Sequence, residues 1–227
     1  RLEKADPIVP RHFIRGVTER TDYKGAEIVP LNLDEARQAV TELVDAGVEA
    51  IAISFLWSFI NPSHERAVAD LIRQGLSAEA IRLARVLDRL MPDEPEAAGL
   101  LALMLMHDAR RAARLDADGE IVTLEDQDRS TWDAAEISEG VPLLEAALRR
   151  GRPGPYQVQA AIAACHVTAA RAADTDWDQI ARLYGQLATF LPTPVVELNR
   201  AVAVGMAEGP QAGLALIAAL EESGRLA

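Results

Sequence analysis

Cysteine is almost missing from this chain. Cys165 is the only one in 227 residues, so no disulfide can close within the chain, and a reducing cytoplasm is its natural setting. Lysine is scarce too: Lys4 and Lys24 are followed only by arginines. Surplus positive charge is absent, because 23 basic residues face 35 acidic ones for a net charge of −12. That balance argues against a direct nucleic-acid surface or an anionic-membrane surface, each of which needs clustered Lys and Arg. No apolar run approaches the roughly 18 residues of a membrane span; the longest covers residues 97–106. There is no signal peptide, no Walker lysine motif and no G-x-G-x-x-G. The chain opens on Arg1 rather than Met, the expectation for a piece of a longer protein.

What is present changes character at Gly75. Before it stand 9 basic and 12 acidic residues, after it 14 and 23. Residues 11–29 read as extended structure, with period-two alternation in "RHFIRGVTER" and a short strand in "GAEIVP". Asp34 begins a helix with Ala36, Val40, Leu43 and Val44 on one face and Gly47 as its stop. "VEAIAISFLW" is a strand-length apolar run of the kind buried on both faces, and "SHERAVADLIRQ" comes next as a helix. The fold class expected is mainly α: a small α/β (β-β-α-β-α) unit over 1–75, then an α-helical, tetratricopeptide-like array over 76–227. Two or three strands make a marginal sheet with unpaired edges, so residues 1–75 are expected to be loosely held.

After Leu76, Ala80, Leu83, Leu87 and Leu90 form one apolar stripe. Further helices are expected over 96–114, 133–150, 155–172, 177–190, 194–207 and 210–223, with a turn at Asp118–Gly119 and a short extended piece over 121–124. "WDQIARLY" sets Trp177, Ile180, Ala181 and Tyr184 at the spacing of W-x₂-L-G-x₂-Y. Leu214, Ala215 and Ala218 take the equivalent places one repeat later. At the junction itself, glycine costs about 1 kcal/mol in a helix interior, so the helix ending "LIRQ" is expected to stop or bend at Gly75, with Ser77 capping the next.

Motifs for catalysis or metal binding are weak. His64–Glu65 starts like H-E-x-x-H, but Val68 stands at the fifth position, which leaves His64 a helix-start hydrogen bond. "DADGEIVTLEDQ" places Gly119 and Gln127 wrongly for a calcium loop and reads as a solvated turn. Cys165 and His166 are neighbours on one helix and diverge by about 100°, so they cannot work as nucleophile and base. Cys165 reads as a small core residue, and the three arginines of "RRGRPGP" form a loop rather than a groove. No cofactor, metal site or catalytic residue is expected.

The most unusual polar cluster is "LEDQDRSTWD". One reading is a solvated acidic loop with Asp133 as a helix cap. The other is a protein contact surface of Asp126, Asp128, Arg129 and Trp132, with Trp132 the anchor and Arg129 held by a carboxylate.

Two resemblances bear on these patterns. "VPRHFIRGVTERTDYKG" and "LVDAGVEAIAISFLWSFINPSHERAVADLIRQ" resemble the hydantoinase A/oxoprolinase family, in the later portion of its N-terminal region. Its members are ATP-dependent amidohydrolases or carboxylase subunits with an actin-like fold. The family's glycine-rich phosphate segment has no counterpart in this sequence, so activity is not implied. The second resemblance is carried by "AEAIRLARVLDRLMPDEPEAAGLLALMLMHDARRAARLDADGEIVTLEDQDRSTWD", "GRPGPYQVQAAIAACHVTAARAADTDWDQIARLYGQL" and "PTPVVELNRAVAVGMAEGPQAGLALIAALEESGRLA". These stretches resemble the C-terminal helical extension of extracytoplasmic-function RNA polymerase sigma factors. That resemblance implies a non-catalytic regulatory domain in a cytoplasmic transcription factor. Its implied partners are proteins, the sigma-factor core domains or RNA polymerase, and "DQDR" followed by Trp is among its most recognisable features. Gly75 then reads as a seam between fragments of two families, by natural fusion, engineering or an assembly artefact. The competing readings are a hydantoinase-type subunit of which only a scaffold element remains, and a chimera without function of its own.

Overall fold

A computed structural model describes residues 9–116 and 119–224; Lys4 and Asp118 lie outside them. The first compact unit is Arg1–Glu79. After a 3-10 turn at Arg11–Phe13, strands β1 (Arg20–Thr21) and β2 (Glu27–Val29) pair antiparallel, Arg20 opposite Val29 and Thr21 opposite Glu27. The turn between them is set by Asp22, whose carboxylate accepts from the amides of Lys24 and Ala26 at 2.8 and 2.9 Å. Helix α1 (Leu33–Asp45) is capped by the Asn32 side chain, which accepts from Asp34 and Glu35 amides. Gly47, at φ +76°, closes it as expected. The inward face is narrower than the sequence implies: Ala36 and Ala39 are buried, Val40 and Leu43 half-buried, and Val44 lies exposed.

The third strand expected over residues 48–57 does not form, so β-β-α-β-α is corrected to β-β-α-α. Ile51, Ile53 and Phe55 are half-buried and Ala52, Ser54 and Leu56 exposed. The alternation of a strand is therefore there without a ladder. The described sheet consists of β1 and β2 alone, and an inner strand needs a neighbour on each side to satisfy its backbone. Of the large apolar residues in and beside this stretch, Leu56 is 78% and Phe59 80% exposed. Among the described residues of the unit, the buried apolar ones are Ala36, Ala39 and Val68.

A polar clamp does part of the work a core would do. His64 is buried, its Nδ1 2.8 Å from Glu19 and its Nε2 2.8 Å from Glu27. It ties α2 (Ser63–Leu90) to the strand region rather than bonding at its own helix start. Burial opposes charge on the ring, but Glu27 and Glu19 together outweigh it and raise the His64 pKa above the ordinary 6.5. A raised histidine pKa contributes stability that is complete below the unfolded value and lost as pH rises through the folded one. Amide exchange of β1 and β2 should therefore accelerate as pH rises above the ordinary histidine value of 6.5, beyond the intrinsic base-catalysed increase. His64→Gln should remove that excess.

Helix α2 does not stop at Gly75; it runs unbroken from Ser63 to Leu90 with Ser77 inside it. Glycine's cost of about 1 kcal/mol is small against the cooperativity of a helix whose other residues here are mostly good formers. Its solvent-facing residues also differ from expectation. Ile81 and Ala84 are buried against Leu101 and Leu105, whereas Leu83, Leu87 and Leu90 are 53%, 38% and 74% exposed.

The second unit is Ala80–Ala227. Its helices are α3 (Pro95–Asp108), α4 (Ala134–Leu148), α5 (Pro155–Thr168), α6 (Trp177–Phe190), α7 (Pro194–Glu208) and α8 (Pro210–Glu222). Four of them open on proline, where the missing N–H is no loss and φ is already helical. Pro194 starts α7 in this way. Helix α3 packs on α4 and α5, α5 on α6, α6 on α7 and α7 on α8, which gives the array of successive neighbours that the sequence pattern implies. Besides the cluster of Ile81, Ala84, Leu101 and Leu105, two larger cores lie along it. One gathers Ala102, Met106, Trp132, Leu144, Ala160 and Ala163. The other gathers Val158, Ile162, Ile180, Leu187, Val196 and Ala203, with Trp177, Ala181 and Tyr184 against it.

The repeat equivalence fails in α8. Leu214 and Ala215 are exposed, and Gly213 and Leu220 face inward. A Cβ on Gly213 would stand 2.7 Å from the Ala201 carbonyl, so close backbone approach to α7 sets the register of this helix.

Candidate functional site

The stretch "LEDQDRSTWD" connects α3 to α4, and its conformation arises from short-range polar bonds. Helix α3 ends earlier than residue 114, at Asp108, because the loop takes its last carbonyls: Asp133 N donates to Ala109 O at 2.8 Å and Arg110 Nε to Met106 O at 3.4 Å. A 3-10 turn spans Arg111–Ala113. An isolated antiparallel bridge joins Leu115 to Ile121, and Val122 N donates to Arg114 O. Gly119 takes φ +83° there. Thr123 O then accepts from the amides of Asp126 and Gln127. Asp128 caps the next turn, Arg129–Thr131, by accepting from Ser130 N and Oγ at 2.9 and 2.7 Å. Asp133 is the N-cap of α4, accepting from Ala135 and Glu136 amides.

The four residues singled out in this loop divide into two pairs. Asp126 and Asp128 are exposed, whereas Trp132 is 8% exposed and belongs to the core. Glu125 is exposed beside the first pair. Arg129 is half-buried, and carbonyls rather than a carboxylate hold it: Nη1 donates to His166 O at 2.7 Å and Ala169 O at 2.9 Å. Its guanidinium lies 4.5 Å from the Trp132 ring centroid. Arg129 thus caps the C-terminal end of α5, where unpaired carbonyls concentrate. The loop is pinned from beneath, and its carboxylates face solvent.

Sequence reasoning missed three neighbours. Arg110 is 8% exposed, with its guanidinium 5.9 Å from the Trp132 centroid. Burial, with Arg114 and Arg129 nearby, lowers its pKa to about 10. His166 is held at about 4 by burial and then by Arg110, Arg129 and His107. Glu136 is pushed up to about 7 by burial and by Asp108 and Asp133, and its Oε2 is buried without a hydrogen-bond partner. The one available signal was the pair Arg110–Arg111 closing an apolar helix.

Other candidates carry less chemistry. Cys165 packs beside the second core with its thiol pKa raised by burial and by Asp176, which keeps it protonated. Its neighbour His166 instead sets its ring against Trp177, with centroids 5.3 Å apart. A cleft of about 430 Å³ is lined by Arg85, Asp88, Arg89, Leu101, Glu139, Pro142 and Leu143. An ion pair from Arg85 to Glu139, with bonds of 2.9 and 2.8 Å, lies in it. Among the described residues, no group of three His, Cys, Asp or Glu side chains is placed to hold a metal. None of their helices is long and apolar enough to cross a membrane.

Comparison with known proteins finds two family matches that overlap over residues 48–76. Residues 2–76 match the family model of the hydantoinase/oxoprolinase N-terminal region. Residues 48–148 match a family of unknown function, DUF6596. An uncharacterised protein of Rhizobium meliloti is 52% identical over 153 residues, 66% of this chain and 36% of that protein. The acetone carboxylase beta subunit of Xanthobacter autotrophicus is 50% identical over 66 residues, 29% of this chain and 9% of its own length. The acetophenone carboxylase gamma subunit of Aromatoleum aromaticum is 43% identical over 68 residues, covering 30% and 9%. No solved structure matches. The chain therefore spans about a third of one relative and under a tenth of the other two, and its first third is hydantoinase/oxoprolinase-like.

Proposed function

We propose that the helical array is a non-catalytic protein-docking module of the kind found after the core domains of extracytoplasmic-function sigma factors. In this reading the hydantoinase-like unit serves as a scaffold element. The observation that carries the reading is the division within the α3–α4 loop. Trp132 and Arg129 fix its backbone from below, while Glu125, Asp126 and Asp128 stand in solvent. A rigid acidic ridge complements a basic surface and loses little conformational freedom on binding it. Helices that grip promoter DNA are basic of necessity, so an acidic module docked on them competes with DNA. The partner is thus a protein in a cytoplasmic transcription complex, and the module itself touches neither DNA nor membrane.

The test is calorimetric titration of the chain with the promoter- and polymerase-binding domains of such a sigma factor. Saturable binding that weakens with salt is expected. Neutralising Glu125 and Asp126 together (to Gln and Asn) should lower affinity by roughly threefold to tenfold, the scale of two exposed charges. No binding at low salt, or an affinity that ignores these charges, would remove the proposal.

A second reading, that the chain is part of a hydantoinase-type hydrolase or carboxylase subunit, is favoured by the match over residues 2–76. ATP turnover that tracks the folded fraction of purified protein would select it.

A further inference from the structure

Five arginines of the second unit are held at the surface by carboxylates. Arg85, Arg111, Arg149, Arg171 and Arg200 lie 2.8 to 3.9 Å from the carboxylates of Glu139, Asp108, Glu145, Asp174 and Glu197. All five side chains are 39% exposed or more. Arg110 is the most buried arginine described, and among the described residues it pairs with no carboxylate. Its one hydrogen bond to the described residues is the 3.4 Å contact from Nε to Met106 O. The two terminal amino groups, which form the fork that grips oxyanions, meet no acceptor there.

Trp132 has the same deficiency. Its indole Nε1 is fully buried and meets no acceptor, although a buried donor left unpaired is costly. Arg110 and Arg129 both lie close to this ring's centroid, at 5.9 and 4.5 Å. Arg114 adds a third positive charge at the edge, with Nη2 bonded to His107 O and 3.1 Å from His107 Nδ1. Capping of helix ends accounts for Arg129, which satisfies two carbonyls, but not for Arg110. Asp174 partly offsets Arg129, but the charges that act on buried Arg110 are those of Arg114 and Arg129. In a chain of net charge −12, a buried arginine that meets only like charge marks a place for an anion from outside the chain.

We propose that the cluster of Arg110, Arg129 and Trp132, flanked by Arg114, His107 and His166, is a receptor for a small free oxyanion of the phosphate class. The fork of Arg110 supplies paired charge-assisted donors, Trp132 Nε1 a neutral donor, and Arg114 and Arg129 the surrounding positive field. Arg110 and Trp132 are each only 8% exposed, which limits the ligand to the size of a single ion. Binding removes the uncompensated charge beneath the α3–α4 loop and so stabilises the array by linkage. This inference is independent of what the loop docks to.

The experiment is isothermal titration of the intact chain with inorganic phosphate at constant ionic strength, chloride being the balancing anion. In parallel, the His166 ring is titrated by NMR with and without phosphate. One saturable site is expected, with sulfate competing and chloride not. The His166 pKa should rise from about 4 as the anion offsets the arginine field. Arg110→Gln should weaken binding by about tenfold or more, the scale of losing a charge-assisted hydrogen bond. Arg149→Gln, on an exposed arginine paired at 3.9 Å, should leave it unchanged. Should Arg110→Gln fail to fold, the His166 shift in the unaltered protein decides alone. No saturable heat with a fixed His166 titration, or equal binding by a folded Arg110→Gln variant, overturns the proposal.

Discussion

Trp132→Ala should destabilise the helical array by about 3–5 kcal/mol, the range for truncating a buried tryptophan. The side chain is 8% exposed, in the cluster formed with Ala102, Met106, Leu144, Ala160 and Ala163. Three of these neighbours are alanines, whose side chains cannot reach into the space it leaves. The substitution also takes the aromatic face from Arg129 and Arg110. Arg129 is then free to swing away from the carbonyls of His166 and Ala169, which would loosen the end of α5. A urea titration followed by far-ultraviolet circular dichroism measures the loss. A change below about 0.5 kcal/mol, the scale of an ordinary surface substitution, would mean that the loop is not seated on this core. Any reduction in partner binding by this variant must be separated from unfolding, since the tryptophan acts through the position of the loop rather than through contact.

The fragment 76–227 should fold alone, with one cooperative thermal transition and strong helical dichroism, whereas 1–75 alone should show no cooperative transition. The apolar clusters built around Met106, Ile180 and Leu105 all lie in the helical array. The described part of the first unit has two short strands, a buried His–Glu clamp and the buried Ala36, Ala39 and Val68. Isolated two-stranded sheets are marginal in water, and burial of two alanines and a valine offsets little chain entropy. Helical-array contacts run between neighbours, so removing one end leaves the rest intact. A featureless dichroism spectrum for 76–227 would defeat this expectation.

The boundaries of the array were legible wherever apolar periodicity ended at proline or an Asp/Asn cap. The predicted starts at 155, 177, 194 and 210 coincide with Pro155, Trp177, Pro194 and Pro210. Face assignment was less legible. In α2, Leu83 and Leu87 make as good a stripe as Ile81 and Ala84, and only the side chains of α3 decide between them. The expected strand at 48–57 failed for a related reason: its composition records suitability for a sheet, but not whether neighbouring strands exist. At Gly75, local propensity was overridden by helix cooperativity.

For the candidate site, the sequence revealed the helix cap Asp133 because its bonds are local, while the cap formed by Asp128 went unread. It exposed neither the burial of Trp132 nor the isolation of Arg110. Those depend on α3 and α5 meeting beneath the loop, a contact between segments far apart in the chain.

Native-state amide exchange on the intact chain tests the central claim most directly: that stability resides in the helical array and the hydantoinase-like unit is weakly held. The account predicts global-unfolding protection for the interior amides of α3, α5 and α6, with β1, β2 and α1 exchanging through openings at least several kcal/mol cheaper. Equal protection of the two units, lost together in denaturant, would contradict it.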